Sequence, residues 1–235
     1  MTAKLQEALE AAFAEATRIY GARGFQRRIG FGRKPALVNV DLANAWTRPG
    51  NPFTCEDMDD RIIPAVQRLL AAFRRHGFPV VHVTTCYQVT DRNNPNTDMG
   101  LWHEKIPMEV CAESDPTVWA IDSRIAPVAG EQLMIKKRAS AFHGTYLAGF
   151  LRAANVDTIV VTGVTASACV RQTVCDGLAE GFRPIVAKEA VGDRVPGAVL
   201  WNLFDMDAKF ADVEPVDRCI EFLDSMGSKW PSNVA

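Results

Sequence analysis

None of the six cysteines is spaced CxxC, and the four histidines stand apart at positions 76, 82, 103 and 143. That pattern argues against a ribbon- or finger-type zinc site. No apolar run approaches the roughly 20 residues that a membrane-spanning helix needs. Neither GxGxxG nor GxxxxGK[ST] occurs, so the two common glycine-rich phosphate signatures are missing. Net charge is only −2, from 26 basic and 28 acidic residues, which leaves no broad basic field for nucleic acid. Arg23, Arg27, Arg28, Arg33 and Lys34 form one local basic cluster, read as a solvated linker or a subunit contact. Residues 1–21 lack the charged and apolar regions of a signal peptide. The expectation is a cytoplasmic protein with free thiols.

What is present is a regular alternation. Leu5, Leu9, Ala12, Phe13, Ala16, Ile19 and Tyr20 recur at helical spacing and predict an amphipathic helix over residues 3–20. Apolar runs at 35–41, 78–85, 131–137, 157–164 and 183–191 read as strands, with a sixth at "KFADV" (209–213). Helical patterns lie between them, among them 59–77, 145–156, 167–182, 197–206 and 215–226; a long polar stretch fills 86–130. Near-continuous β-branched strands separated by helices predict an α/β fold. It is a single three-layer α/β/α domain with a mostly parallel, six-stranded, Rossmann-like sheet. The organisation expected is an N-terminal helix and basic linker (1–30), one domain (31–227) and a loose tail (228–235).

Ligands of such sheets bind at the carboxyl ends of the strands. Asp41, Lys136 with Lys137, Thr165 and Arg194 all fall at such ends, and Cys169 opens the helix after strand four. A thiol at a helix N-terminus meets unpaired N–H groups and the positive end of the dipole, and both favour thiolate. Asp41 is a candidate general base, Lys136 a charge partner, and the N–H groups of Thr165 and Cys169 a candidate oxyanion hole. Each residue alone also has a plain structural role: a strand-end Asp caps turns, a strand-end Lys is solvated, and a cysteine in "TASACV" is a small core residue. Cys175, six residues on, lies about 240° around the helix from Cys169 and reads as a packing residue.

Three blocks carry a resemblance to the isochorismatase-like cysteine hydrolase family. They are "PALVNVDLANAW" (35–46), "MIKKRASAFHGTYLAGFLRAANVDTIVVTGVTASACVRQTVCDG" (134–177) and "AVGDRVPGAVLWNLFDMDAKFADV" (190–213). The resemblance implies a catalytic triad of Asp41, Lys136 and Cys169, with Lys136 chosen over Lys137 because it stands four residues before Ser140 of "SAF". It implies a cis peptide at Val164–Thr165 and an oxyanion hole from Thr165 and Cys169. It also implies Arg194 as the anchor for a substrate carboxylate, a role that suits a planar guanidinium. Trp46, Phe142 and His143 are candidate pocket walls, each equally readable as core or interface. Metal-binding relatives carry an Asp-x-His motif after the first strand; "NPFTCEDMDDR" has no histidine, so no catalytic metal and no cofactor are expected. The implied activity is hydrolysis of a small carbamoyl or carboxamide C–N bond through a thioester, with N-carbamoylsarcosine as first substrate and maleamate as second. A homo-oligomer, tetramer or dimer, is implied, with residues 1–20 as a contact. A non-catalytic small-molecule-binding protein on the same fold is the reading from another class.

Overall fold

Six apolar runs lie side by side as one all-parallel sheet in the computed structural model, which describes residues 3–226. After helix α1 (Ala3–Ala22) come β1 (Pro35–Val40), the short α2 (Asn44–Thr47), a wide turn at Met58–Ile62 and α3 (Ile63–His76). Next are β2 (Val80–Thr85), a long connection holding α4 (Pro116–Trp119), β3 (Gln132–Lys136), α5 (Leu147–Ala153) and β4 (Thr158–Val164). A second wide turn, Ala166–Val170, runs into α6 (Arg171–Ala179), followed by β5 (Arg183–Gly192), α7 (Pro196–Lys209), β6 (Asp212–Glu214) and α8 (Val216–Ser225). The strand order is β3-β2-β1-β4-β5-β6.

The strands read as unbroken apolar runs because both sheet faces are covered. On one face, Leu37, Val160 and Ile185 meet Val66, Leu69 and Phe73 of α3 and Cys219 and Leu223 of α8. On the other, Val38, Val83 and Val161 meet Leu147 and Leu151 of α5, Val174 of α6 and Met206 of α7. Helix α3 starts with Pro64 in its first turn and ends at Gly77 in the left-handed region, after Arg74, Arg75 and His76, matching the usual signals for both ends. Helix α6 stops at Ala179, three residues short of the sequence expectation. Gly181 takes a φ of +88° and the amide of Phe182 turns back to the carbonyl of Gly177. The sixth strand is Asp212–Glu214 rather than 209–213, because α7 continues through Lys209. The tail expected at 228–235 lies outside the described residues.

Helix α1 sits on α7, with Phe13 stacked on Phe204 at 4.7 Å between ring centres. The basic linker is tied to its own domain. The amides of Ile29 and Gly30 donate to Asp212, those of Arg33 and Lys34 donate to Asp157, and Arg28 pairs with Asp207 and Glu214.

Progress across the sheet reverses between β1 and β4, which makes their carboxyl ends the topological switch point. Gly163 sits there in register with Val40, at a φ of +110°. A Cβ at Gly163 would lie 2.0 Å from the Val40 carbonyl oxygen. Backbone conformation and space both require glycine beside the residue that leads into Asp41. Gly163→Ala is expected to cost about 3 kcal/mol or more in urea unfolding. A midpoint indistinguishable from that of the parent protein would refute this close approach.

Candidate active site

Asp41 is the first residue past β1. Its backbone takes a φ of +52°, a region that aspartate visits more readily than most side chains. The side chain is fully buried. Its Oδ1 accepts from Thr85 Oγ1 at 2.9 Å, and its Oδ2 lies 2.8 Å from Lys136 Nζ. That contact is a close ion pair, and the carboxylate also faces the Cys169 thiol, whose pKa it raises. Among the described residues, Asp41 Oδ2 is the buried side-chain polar atom left with a free acceptor position. Such an atom needs an explanation, and a proton to receive is one.

Lys136 comes from the far edge of the sheet. It ends β3, in register with Thr85 of β2, and must cross β2 to reach β1. Two strand spacings amount to about 9.5 Å, a span that a long side chain bridges over a small threonine. Lys136 Nζ donates to Thr85 Oγ1 at 2.7 Å and to Cys169 Sγ at 3.4 Å. Burial alone would lower the Lys136 pKa, but the Asp41 carboxylate and the Cys169 sulfur outweigh it and the shift is upward. Successive strand residues face opposite ways, and Lys137 accordingly leaves the core to pair with Asp98 at 2.7 Å.

Cys169 lies in the Ala166–Val170 turn at the mouth of α6, 7% exposed. The sequence argument from the helix dipole favours thiolate; the surroundings reverse it. Burial pushes the thiol up to about 12, Lys136 pulls it down, and the Asp41 carboxylate pushes it up again. With Asp41 and Lys136 already cancelling, a neutral thiol keeps the buried group of three uncharged overall. A resting thiolate would leave a net negative charge where water does not reach.

The Val164–Thr165 peptide is cis, as the resemblance implied. The Thr165 carbonyl accepts from the amides of Ala168 and Val170, both at 3.1 Å, and Asp193 accepts from Ser167. These bonds hold the turn that carries Cys169 against the ends of β4 and β5.

Arg194 follows β5 and is exposed, with its guanidinium 6.0 Å above the centre of the Phe53 ring. Phe53 in turn stacks on Trp46, centres 5.2 Å apart and planes at 11°. Trp46 is held through α2: Thr47 and Arg48 bond to buried Asp122, at 2.7 and 2.8 Å. Cys55, beside Phe53, feels the charges of Arg194, Asp193 and Asp41, so these groups share one neighbourhood. Phe142 belongs to the same buried cluster as Cys169, and His143 follows it in the chain. They line a cavity of about 270 Å³ with Gly144, Asp176, Ala179 and Glu180, and the Phe142 ring faces Phe182 at 5.8 Å. The structure brings Asp41, Lys136, Cys169 and Thr165 together and sets Arg194 and Trp46 along the same rim.

Thr85, Phe53 and Asp193 escaped the sequence reading. The "TT" that ends β2 gave no reason to prefer Thr85 over Thr84, because only the register with Lys136 separates them. Of the histidines, His82 is buried against Glu131 and Asn39 and its pKa is lowered by burial, while His76 bonds to Asp224. Among the described residues no group of three or more His, Cys, Asp or Glu side chains gathers as a metal site.

Known proteins resemble this chain in sequence and in fold. The isochorismatase domain profile matches residues 35–217. N-carbamoylsarcosine amidase of Arthrobacter sp. is 52% identical over 225 residues, covering 95% of this chain and 84% of that protein. Maleamate amidohydrolase of Pseudomonas putida is 41% identical over 191 residues, covering 80% and 85%. The crystal structure of a cysteine hydrolase from Pseudomonas syringae pv. phaseolicola superposes with a TM-score of 0.77 at 24% identity, covering 86% of this chain and 98% of that one.

Two measurements test the site as a physical object. Below its pKa a thiol gains about tenfold in thiolate per pH unit. Alkylation of Cys169 by iodoacetamide, followed by mass spectrometry, is therefore expected to rise through pH 7 to 9 with no plateau. A plateau by about pH 8 would show a resting thiolate. Thr85→Val removes the hydroxyl between Asp41 and Lys136 and is expected to cost about 1–3 kcal/mol in unfolding, with a changed pH profile of Cys169 alkylation. An unchanged profile would show that Thr85 plays no part in holding the proton.

Proposed function

This chain belongs to the isochorismatase family, and on that premise we propose that it is a cysteine-dependent amidohydrolase of small linear amides that carry a carboxylate. The observation that supports it most directly is the free acceptor position on Asp41 Oδ2, within an ion pair whose ammonium also contacts the Cys169 sulfur. Asp41 takes the thiol proton as the sulfur attacks the amide carbon. The ammonium of Lys136, already 3.4 Å from the sulfur, offsets the charge that the proton leaves behind. The amides of Thr165 and Cys169 hold the oxyanion. Asp41 returns the proton to the departing nitrogen, ammonia leaves and a thioester remains. Water, deprotonated by the same carboxylate, cleaves the thioester and regenerates the thiol. A carbamoyl substrate gives a carbamate, which decays to carbon dioxide and an amine. Raising the thiol pKa by burial suits this cycle, because the proton moves only when a substrate occupies the site.

Arg194 is the anchor for the substrate carboxylate, set on the Phe53–Trp46 stack. The 52% identical relative is named for N-carbamoylsarcosine, and that compound is our first substrate. Maleamate, for which the 41% identical relative is named, has the same amide and carboxylate and is the second. The non-catalytic reading accounts less well for a proton acceptor left open beside a buried thiol. We also propose that the chain works in the cytoplasm, consistent with six free cysteines. We further propose that it assembles as a homo-oligomer through α1, the segment just after it and α7, where Ile19, Phe25 and Trp201 remain exposed.

Ammonia release should be measured with N-carbamoylsarcosine, maleamate, nicotinamide, biuret and ureidoacrylate. The carboxylate-bearing amides are expected to be preferred; preference for an uncharged amide would remove Arg194 from its role. Cys169→Ala is expected to abolish turnover and Cys175→Ala to retain it. Arg194→Ala should raise KM for carboxylate substrates about 10- to 100-fold, the worth of one charge-assisted contact, with a smaller change in kcat. An unchanged KM would refute the anchor.

A further inference from the structure

Asp193 stands one residue past the end of β5 and one before Arg194. It is 5% exposed, and all its described hydrogen bonds go to two backbone segments. Its Oδ2 accepts from the amide of Ser167 at 3.0 Å and from the Ser167 hydroxyl at 2.6 Å. Its Oδ1 accepts from the amide of Arg194 at 2.8 Å. Ser167 lies in the turn between Thr165 and Cys169, and the register of Val164 with Gly192 brings the exits of β4 and β5 level. One carboxylate thus holds two loops, each through a different oxygen.

Each loop has a separate task. The Ala166–Val170 turn carries the thiol and the proposed oxyanion donors, and its first amides have no acceptor of their own within a helix. Ala168 and Val170 are met by the Thr165 carbonyl, and Ser167 is met by Asp193. The Ser167 hydroxyl adds a second bond that fixes the turn's rotation about that amide. On the other side, a bond to the Arg194 amide sets where that side chain leaves the backbone. Shifts of about 1 Å in such elements lower rates markedly.

Resting on the amidohydrolase reading above, we infer that Asp193 is a positioning residue that sets the distance between the scissile carbonyl and the substrate carboxylate. It does so by clamping the nucleophile turn and the Arg194 loop to one another. Specificity for a short substrate then follows from the spacing of the two loops, not from either loop alone. The hydrogen bonds of the carboxylate go to Ser167 and to the Arg194 amide, so its effect on the thiol and on the guanidinium passes through the two loops.

The two oxygens make the inference separable. Kinetics should be measured for Asp193→Ala, Asp193→Asn and Ser167→Ala with N-carbamoylsarcosine and with an uncharged urea of the same length, 1-isobutyl-1-methylurea. Asp193→Ala is expected to lower kcat at least tenfold on both, and to raise KM at least tenfold on the carboxylate substrate only. In Asp193→Asn the carbonyl oxygen can still accept from Ser167, while an NH2 faces the Arg194 amide. It is expected to recover kcat to within threefold and to leave KM raised. Ser167→Ala should lower kcat three- to tenfold with KM unchanged. If Asp193→Ala leaves both constants unchanged, the inference is overturned. It is equally overturned if Asp193→Asn matches Asp193→Ala in both constants while circular dichroism shows all variants folded. An unchanged KM in Arg194→Ala alone would instead refute the carboxylate anchor and leave the kcat effects of Asp193 as the measure of the turn.

Discussion

A carboxylate and an ammonium 2.8 Å apart, neither reaching solvent, are costly to bury. Desolvation of each ion opposes folding by several kcal/mol, and only close geometry with further hydrogen bonds offsets it. Thr85 supplies those bonds on both sides, donating to Asp41 and accepting from Lys136. The pair is therefore a demanding element to place, and the arrangement around it follows from that demand. The thiol must stay neutral because a third charge would be unpaired. Lys136 must be long because it crosses a strand, and the position between must be small because the lysine passes over it.

The sheet meets the demand by topology. Only at the switch point do two adjacent strands send their connections to opposite faces, leaving a crevice between their ends. Asp41 and Thr165 occupy the two lips of that crevice, and Gly163 lets the strands approach closely beneath it. Lys136 arrives from one side of this point and Arg194 from the other, three strands and one strand from β4 respectively. Charges from both halves of the sheet thus converge on one rim, although they are far apart in sequence.

Much of this could be read from the chain, and the parts that could not share a reason. Strand positions followed from apolar runs, and strand-end residues from where the runs stop. The triad candidates then came from chemistry and resemblance together. Thr85 is invisible without register, because Thr84 has the same composition and neighbours. Phe53 lies in a loop whose path no periodicity sets, and Asp193 gave no signal because its partner, Ser167, is 26 positions away. Phe142 was readable as pocket wall or as core, and its ring lies against Gly177 of α6 in the cluster that also holds Cys169. The protonation of Cys169 was misjudged for a different cause. A helix terminus is a local feature that sequence shows, whereas burial is a sum over the whole fold and here has the larger effect.

That last point bears on how such a site can be both stable and reactive. A thiolate held ready at rest would react with any small electrophile and would add an unpaired charge to the interior. A thiol kept neutral, beside a carboxylate with one open acceptor position, becomes nucleophilic only when a carbonyl is near enough to take up the charge as the proton leaves. Selectivity then resides in what brings the carbonyl there, and on the proposed reading that is the far end of the substrate at Arg194. The proposed chemistry sits in a buried junction at the ends of four strands, β1 to β4, and the proposed choice of substrate in two loops at its edge. Exchange of loop residues such as Phe53 or Arg194 can alter the latter without disturbing the buried ion pair, which fits a family profile that spans the chain from β1 to α8.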